Sequence, residues 1–170
     1  TGAGDGNGRS GSGSGSASNK NKSTDKSMIT VQVLIEHLVG LTAVSLVSVR
    51  DAATEAVMSM GQALVESAVE RRSELVSIKR LHSAEIKNNG KGGAREKHLA
   101  RSVSKLQSND KELDKLTSVI FTGVVVLRYK DHQAMIRSRC MQYLGSWLAT
   151  DPEKYFKDEY LKYIGWMTSD

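Results

Sequence analysis

From Met28 onward the chain carries apolar residues at helical spacing, contains a single proline, Pro152, and nowhere shows the strict alternation of a half-buried strand. Such a chain has consecutive helices as its only economical fold, because each amphipathic stripe must be buried against another. With 170 residues, 39% of them hydrophobic, there is enough apolar surface for one core of ordinary size.

Ile29, Val33, Leu34, His37, Leu38 and Leu41 form a first stripe, with Gly40 as a candidate stop. A longer helix follows. Ser48 with Asp51 resembles a capping box at its start, and Val49, Ala53, Ala56, Val57, Met60, Leu64, Ala68, Leu75, Ile78, Leu81 and Ile86 make its predicted inner face. The run Asn88–Gly93 breaks it. A third helix is expected from about Ala94 to Lys130, with an irregularity near Ser108-Asn109-Asp110. Asp131 is placed to cap a fourth, with Ile136, Cys140, Leu144, Trp147 and Leu148 inward, and Asp151-Pro152 to end it. Asp158 opens the fifth. The predicted class is all-α, a bundle or an α-solenoid.

Residues 1–27 are rich in Gly and Ser and hold no large apolar residue, so a disordered low-complexity segment is expected there. Its Gly6-Asn7-Gly8-Arg9-Ser10-Gly11 matches GxGxxG in form but lacks the flanking strand and helix that a dinucleotide site requires. The single Cys excludes an internal disulfide, and no apolar run approaches the ~18 residues that span a bilayer. The 4 His are scattered, without metal-ligand spacing, and Cys140 falls on an apolar stripe despite its neighbour Arg139. No catalytic constellation, cofactor, metal or small-molecule substrate is expected.

Charge is uneven. Residues 1–85 hold 9 Lys/Arg against 9 Asp/Glu, so the net +5 resides in residues 86–170, with 15 against 10. Lys87, Lys91, Arg95, Lys97, Arg101 and Lys105, against Glu96, form the densest cluster. They are candidate contacts for DNA phosphates; a solvated helix face is the plainer reading of the same charges. On a helical wheel Tyr160, Leu161, Ile164 and Met167 share one arc, Tyr163 lies at its margin, and Trp166 falls far outside it beside Lys162. Either a neighbouring helix covers Trp166, or it belongs to an exposed Tyr–Trp platform of the kind that dominates interfaces.

Residues 119–170 closely resemble the start of the stromalin conservative domain, the signature of the stromalin (STAG) subunits of cohesin. The matching residues are Ile120-Phe121 with Gly123, Arg128-Tyr129 with Asp131, Ile136-Arg137, Cys140, Leu144-Gly145 with Trp147, Phe156, Tyr160-Leu161-Lys162-Tyr163 with Gly165-Trp166, and Asp170. Residues 28–118 resemble the helical hairpin region before that domain, with few diagnostic residues. Thr168 departs from the family's usual Leu or Met, and the Gly/Ser-rich head has no counterpart in the family's folded region.

The resemblance implies an irregular HEAT-like α-solenoid, a nuclear, chromatin-bound location and no catalysis. The implied partners are the kleisin subunit and through it the SMC ring, chromatin regulators with short Tyr/Phe-x-Phe motifs, and DNA without sequence preference, in support of sister-chromatid cohesion. Carried over, Asp158, Lys162, Tyr163 and Trp166 match positions on the motif-binding surface, whose remainder is expected beyond Asp170. Trp147 is expected to be packing. An unrelated nuclear or trafficking solenoid adaptor is the alternative.

Overall fold

A computed structural model describes the backbone of residues 16–168 and the side chains of residues 28–168. The formal GxGxxG match and the first part of the Gly/Ser-rich segment lie outside the described residues. Among the described residues there are helices and turns only: α1 (Ser16–Leu41), α2 (Val47–Asn89), α3 (Ala94–Ile120), a π-helical turn (Phe121–Val125), α4 (Val126–Arg128), α5 (Ala134–Thr150), α6 (Pro152–Tyr155) and α7 (Asp158–Met167). The chain divides within α1 into two compact units, residues 1–34 and 35–170. The second contains α2 to α7.

Helix α1 begins at Ser16, well inside the segment expected to be structureless. Adding a residue to an existing helix costs far less than nucleating one, so a polar run continuous with residues 28–41 is carried along. Its expected stripe is also displaced. Ile35 and Thr42 are the buried positions, while Ile29, Val33, Leu34 and Leu41 are exposed.

In the second unit α2 lies against α3 and α5, and its inner face is set by that double contact. Gly61 is the reason. A Cβ there would lie 2.4 Å from Trp147 Cζ2, so the indole of α5 rests directly on the α2 backbone. Met58, Gly61 and Val65 are therefore buried beside the expected Ala53, Val57, Ala68 and Leu75, while Leu81 of the predicted stripe is 55% exposed. Trp147, Ile136, Cys140 and Leu144 of α5 are fully buried, with Ile120, Val124 and Val125 against them in the same core. Burying side chains of this size supplies about 1.5–3 kcal/mol each.

The predicted caps are replaced by longer-range contacts. No side chain caps α2 at Leu46, and the Ser48/Asp51 box does not form there. Arg50 instead donates from Nη1 to the carbonyls of Val44 and Ser45 (2.9 and 3.1 Å), tying down the turn before α2. Its Nε and Nη2 reach Asp131 Oδ2 and Oδ1 at 2.9 and 3.2 Å. Asp51 pairs with Arg139 of α5 (Nε–Oδ1 2.9 Å), which also bonds Glu55. Asp131 lies before α5, whose cap position is Gln133, and accepts the Gln133 N–H at 3.0 Å.

The irregularity expected at residues 108–110 is absent, since α3 runs through them; the helix departs from α geometry at Phe121–Val125 instead. A Cβ on Gly123 would lie 2.6 Å from Val39 Cγ1, so α1 approaches the backbone here. Thr122 Oγ1 donates to the Ser118 carbonyl at 2.8 Å, competing with the backbone ladder. Such π-turns often occur next to functional sites.

The candidate partner-binding face

A continuous train of aromatic rings runs from the core to the surface. Trp147 meets Tyr155 (5.4 Å between centroids), Tyr155 meets Tyr160 (5.0 Å), and Tyr160 meets Phe121 (4.6 Å). Phe121 meets Tyr163 edge-on (5.4 Å), and Tyr163 in turn meets both Tyr129 (5.1 Å) and Trp166 (5.3 Å). Tyr129 and Trp166 are stacked, 5.5 Å apart at 30°. The π-turn carries Phe121 and Tyr129 directly follows α4, so this local geometry presents both rings to α7.

The two halves of the predicted Tyr–Trp platform have different environments. Tyr163 is the buried residue of α7, at 7% exposure, so the helix turns its Tyr163 edge inward rather than the arc centred on Tyr160 and Ile164. The wheel missed this because it could not place Phe121 and Tyr129, whose ring edges select an aromatic side chain at that position. Trp166 is 54% exposed. It is held by its neighbours without being covered by them. Lys162, also exposed, sets Nζ 5.2 Å from the Tyr163 ring and 5.9 Å from the Trp166 ring. Asp158 lies exposed in the first turn of α7, four residues before Lys162 and eight before Trp166, on one helical strip.

Beside Trp166 opens a pocket of about 450 Å³, lined by Tyr129, Lys130, Asp131, His132, Arg137, Trp166 and Met167. Lys130 Nζ lies 5.2 Å from the Tyr129 ring. Arg137 donates to the Asp131 backbone carbonyl at 2.8 Å, which fixes its guanidinium at the pocket's base. Asp131 is 7% exposed and takes Arg50, Arg128 and the Gln133 N–H. Burial works against its charge; the Gln133 N–H and the two arginines outweigh that and hold its carboxyl below the ordinary value. The pocket thus combines an aromatic wall with cations and an anion that is already satisfied. It suits an aromatic side chain with a neighbouring carboxylate. Sequence reasoning had not placed Lys130, His132 or Met167 here; the signal within reach was Tyr129-Lys130, about two turns after Phe121.

The basic cluster lies elsewhere in this unit, at the α2–α3 connection. Lys87 is in the last turn of α2, Lys91 in the connection, and Arg95, Lys97, Arg101 and Lys105 on α3; all six are exposed. Gly90 and Gly92 adopt φ of 75° and 100°, which glycine permits without strain. Glu96 is not the only acid present. Arg95 Nε lies 3.3 Å from Glu85 Oε2, and Glu96 is itself occupied by His82 (3.0 Å) and the Gly92 N–H (3.3 Å). The hydrogen bond to His82, then that from Gly92, hold the Glu96 carboxyl below its ordinary value.

No group of His, Cys, Asp and Glu among the described residues is arranged to hold a metal, and no helix there is long and apolar enough to cross a membrane. Cys140 is fully buried, and burial pushes its thiol up to about 12, which suits packing rather than nucleophilic chemistry.

The family model of the stromalin conservative domain matches residues 130–170. The cohesin subunit scc-3 of Caenorhabditis elegans is 31% identical over 139 residues, covering 80% of this chain and 13% of that protein. The human cohesin subunit SA-3 is 31% identical over 140 residues, covering 81% and 11%. The cohesin subunit psc3 of Schizosaccharomyces pombe reaches 44% over 63 residues, 35% of this chain and 6% of its own length. Among solved structures, cohesin subunit Scc3 from Z. rouxii superposes with a TM-score of 0.79 at 26% identity, covering 88% of this chain and 18% of that one. The chain therefore spans under one-fifth of the length of these relatives. These matches set aside an unrelated adaptor, and together with the all-α solenoid architecture they place the chain in the stromalin family of cohesin subunits.

Proposed function

We propose that this chain is a non-catalytic part of a nuclear cohesin complex, and that its α4–α7 face receives a short Tyr/Phe-x-Phe motif from a chromatin regulator. The observation that carries the proposal is Trp166, half exposed yet held by Tyr129 and Tyr163, beside a pocket of motif size. An exposed Trp on a rigid seat loses little entropy on binding and offers a large apolar surface, which is how hot spots act. In this reading Trp166 and the pocket take one ring of the motif, Lys162 and Asp158 meet polar groups along the strip, and Tyr163 holds Trp166 in position from beneath. Kleisin, and the SMC ring through it, are proposed partners by similarity to the cohesin subunits named above. DNA phosphates are proposed to meet Lys87, Lys91, Arg95, Lys97, Arg101 and Lys105, which are exposed on one hairpin end.

The test is fluorescence anisotropy with a labelled Tyr-x-Phe peptide, using the full-length protein that contains this sequence. Trp166→Ala is expected to weaken binding by about 2 kcal/mol or more, with an unchanged melting temperature. Equal affinity of the native and substituted proteins, both folded, would reject the assignment.

A further inference from the structure

One face of the second half of α2 is used by neither site except at its end, where Lys87 also belongs to the hairpin-end cluster. Val76, Lys79, Arg80, Ser83, Ala84 and Lys87 follow one another at three- and four-residue steps and so form a single strip along the helix. All six are exposed, and they line an open depression of about 440 Å³. The opposite side of the helix is engaged with α3 through Leu75, which is buried, and His82, which meets Glu96. The strip is thus the outward side of a helix whose inner side is already packed.

We propose that this strip is a docking surface for an acidic amphipathic helix of another protein. Val76, 49% exposed, gives the strip its apolar contact, and Ser83 and Ala84 have small side chains that let a second helix come close. The methylene stems of Lys79, Arg80 and Lys87 extend the apolar surface, and their heads add three cations to the same strip. No Asp or Glu stands three or four residues from any of these cations along α2, and no ion pair engages them among the described residues. An occupant must therefore bring both apolar contact and anionic charge. A phosphodiester backbone supplies the second but makes no use of Val76. A helix with apolar residues at three- and four-residue steps, flanked by carboxylates, supplies both. From Val76 to Lys87 the strip extends about 16 Å at 1.5 Å per residue, so about three turns of partner helix cover it. Lys79 and Arg80 lie outside the hairpin-end cluster, so their substitution probes this surface separately from the proposed phosphate contacts.

The probe is a fluorescein-labelled helical peptide with Leu at three- and four-residue steps and Glu on both flanks, titrated against the full-length protein that contains this sequence. A second peptide replaces each Leu by Ser, and a labelled DNA duplex is the third probe. The Leu/Glu peptide is expected to bind, and the Ser/Glu peptide at least tenfold more weakly. Lys79→Glu with Arg80→Glu is expected to weaken the Leu/Glu peptide at least tenfold, and so is Val76→Asp, with circular dichroism unchanged. Equal binding of both peptides would overturn the proposal, as would peptide affinity that survives charge reversal. So would a double reversal that lowers DNA affinity while the Leu/Glu peptide fails to bind, because the strip would then be a phosphate contact.

Discussion

Gly61 has no side chain because Trp147 occupies the space a Cβ would need, at 2.4 Å from the nearest ring carbon. The contact is to a fully buried ring, so neither partner can yield cheaply. Gly61→Ala is expected to destabilise the fold by about 1–3 kcal/mol, whereas Gly145→Ala, which meets nothing within 4 Å, is not. Chemical denaturation of the two variants checks the contrast. Asp131 gives a prediction of different sign structure. Its carboxyl is held below its unfolded value, so its stabilisation is fully present above about pH 4 and is lost as the pH falls through the folded value. Asp131→Asn should lower the melting temperature at pH 6 and narrow the difference between pH 6 and pH 3. An undiminished acid-induced loss in that variant would show that other carboxylates govern the low-pH limb. Removing the group altogether, in Asp131→Ala, leaves Arg50 buried with its fork unmatched and is expected to cost about 3 kcal/mol or more.

Elements were legible in the sequence where punctuation is strong and less so where packing decides. The break before α3 and the stop at Asp151-Pro152 rest on backbone chemistry, and the chain obeys them. The inner faces of α1 and α2 depend on which partner approaches, and Gly61 and Gly123 announce that only once Trp147 and Val39 are known to point at them. The π-turn was not foreseen for the same reason: Gly123 lies within it, but the approach of Val39 to its backbone and the Thr122 hydroxyl bond to the Ser118 carbonyl are evident only in the fold. In the candidate site the wheel put Trp166 off the apolar arc and left open whether a neighbouring helix covers it; the ring is 54% exposed. The wheel could not see that Tyr163 is gripped by Phe121 and Tyr129 from a different element. The hairpin end carries a prediction at this same scale. If its cations meet phosphates, the logarithm of DNA affinity should fall linearly with the logarithm of salt concentration. Each contact removed by substitution to Ala should then reduce that slope by about 0.9. Arg95 should count for less than Lys91, since Glu85 already lies 3.3 Å from it. A slope that stays constant when all six are replaced would remove DNA from this surface.

At the scale of the second unit, the arrangement leaves large apolar side chains in water. Leu46 is 61% exposed and Val47 41%, and next to them Leu38, Leu41, Val49, Ala52 and Ala53 line an open groove of about 370 Å³. Met135, Leu127 and Phe156 are exposed at 63%, 55% and 69% on the later helices. Isolated exposed apolar residues are ordinary, but a contiguous set beside an apolar groove is a surface that favours association. Repeat helices of a solenoid are stabilised chiefly by their neighbours, and this chain spans 18% of the solved Scc3 chain that it superposes on. The 170-residue chain on its own is therefore expected to be marginally stable and to self-associate as its concentration rises. Sedimentation should show mass increasing over the micromolar range, and thermal unfolding should be broad and poorly reversible. Leu46→Glu with Leu41→Glu should reduce the association without loss of helical signal, because both side chains already lie in solvent. A monomer at all concentrations with a sharp, reversible transition would mean instead that the inner packing around Trp147 and the Arg50–Asp131 pair is sufficient by itself, and that the apolar elbow of α1 and α2 needs no neighbour.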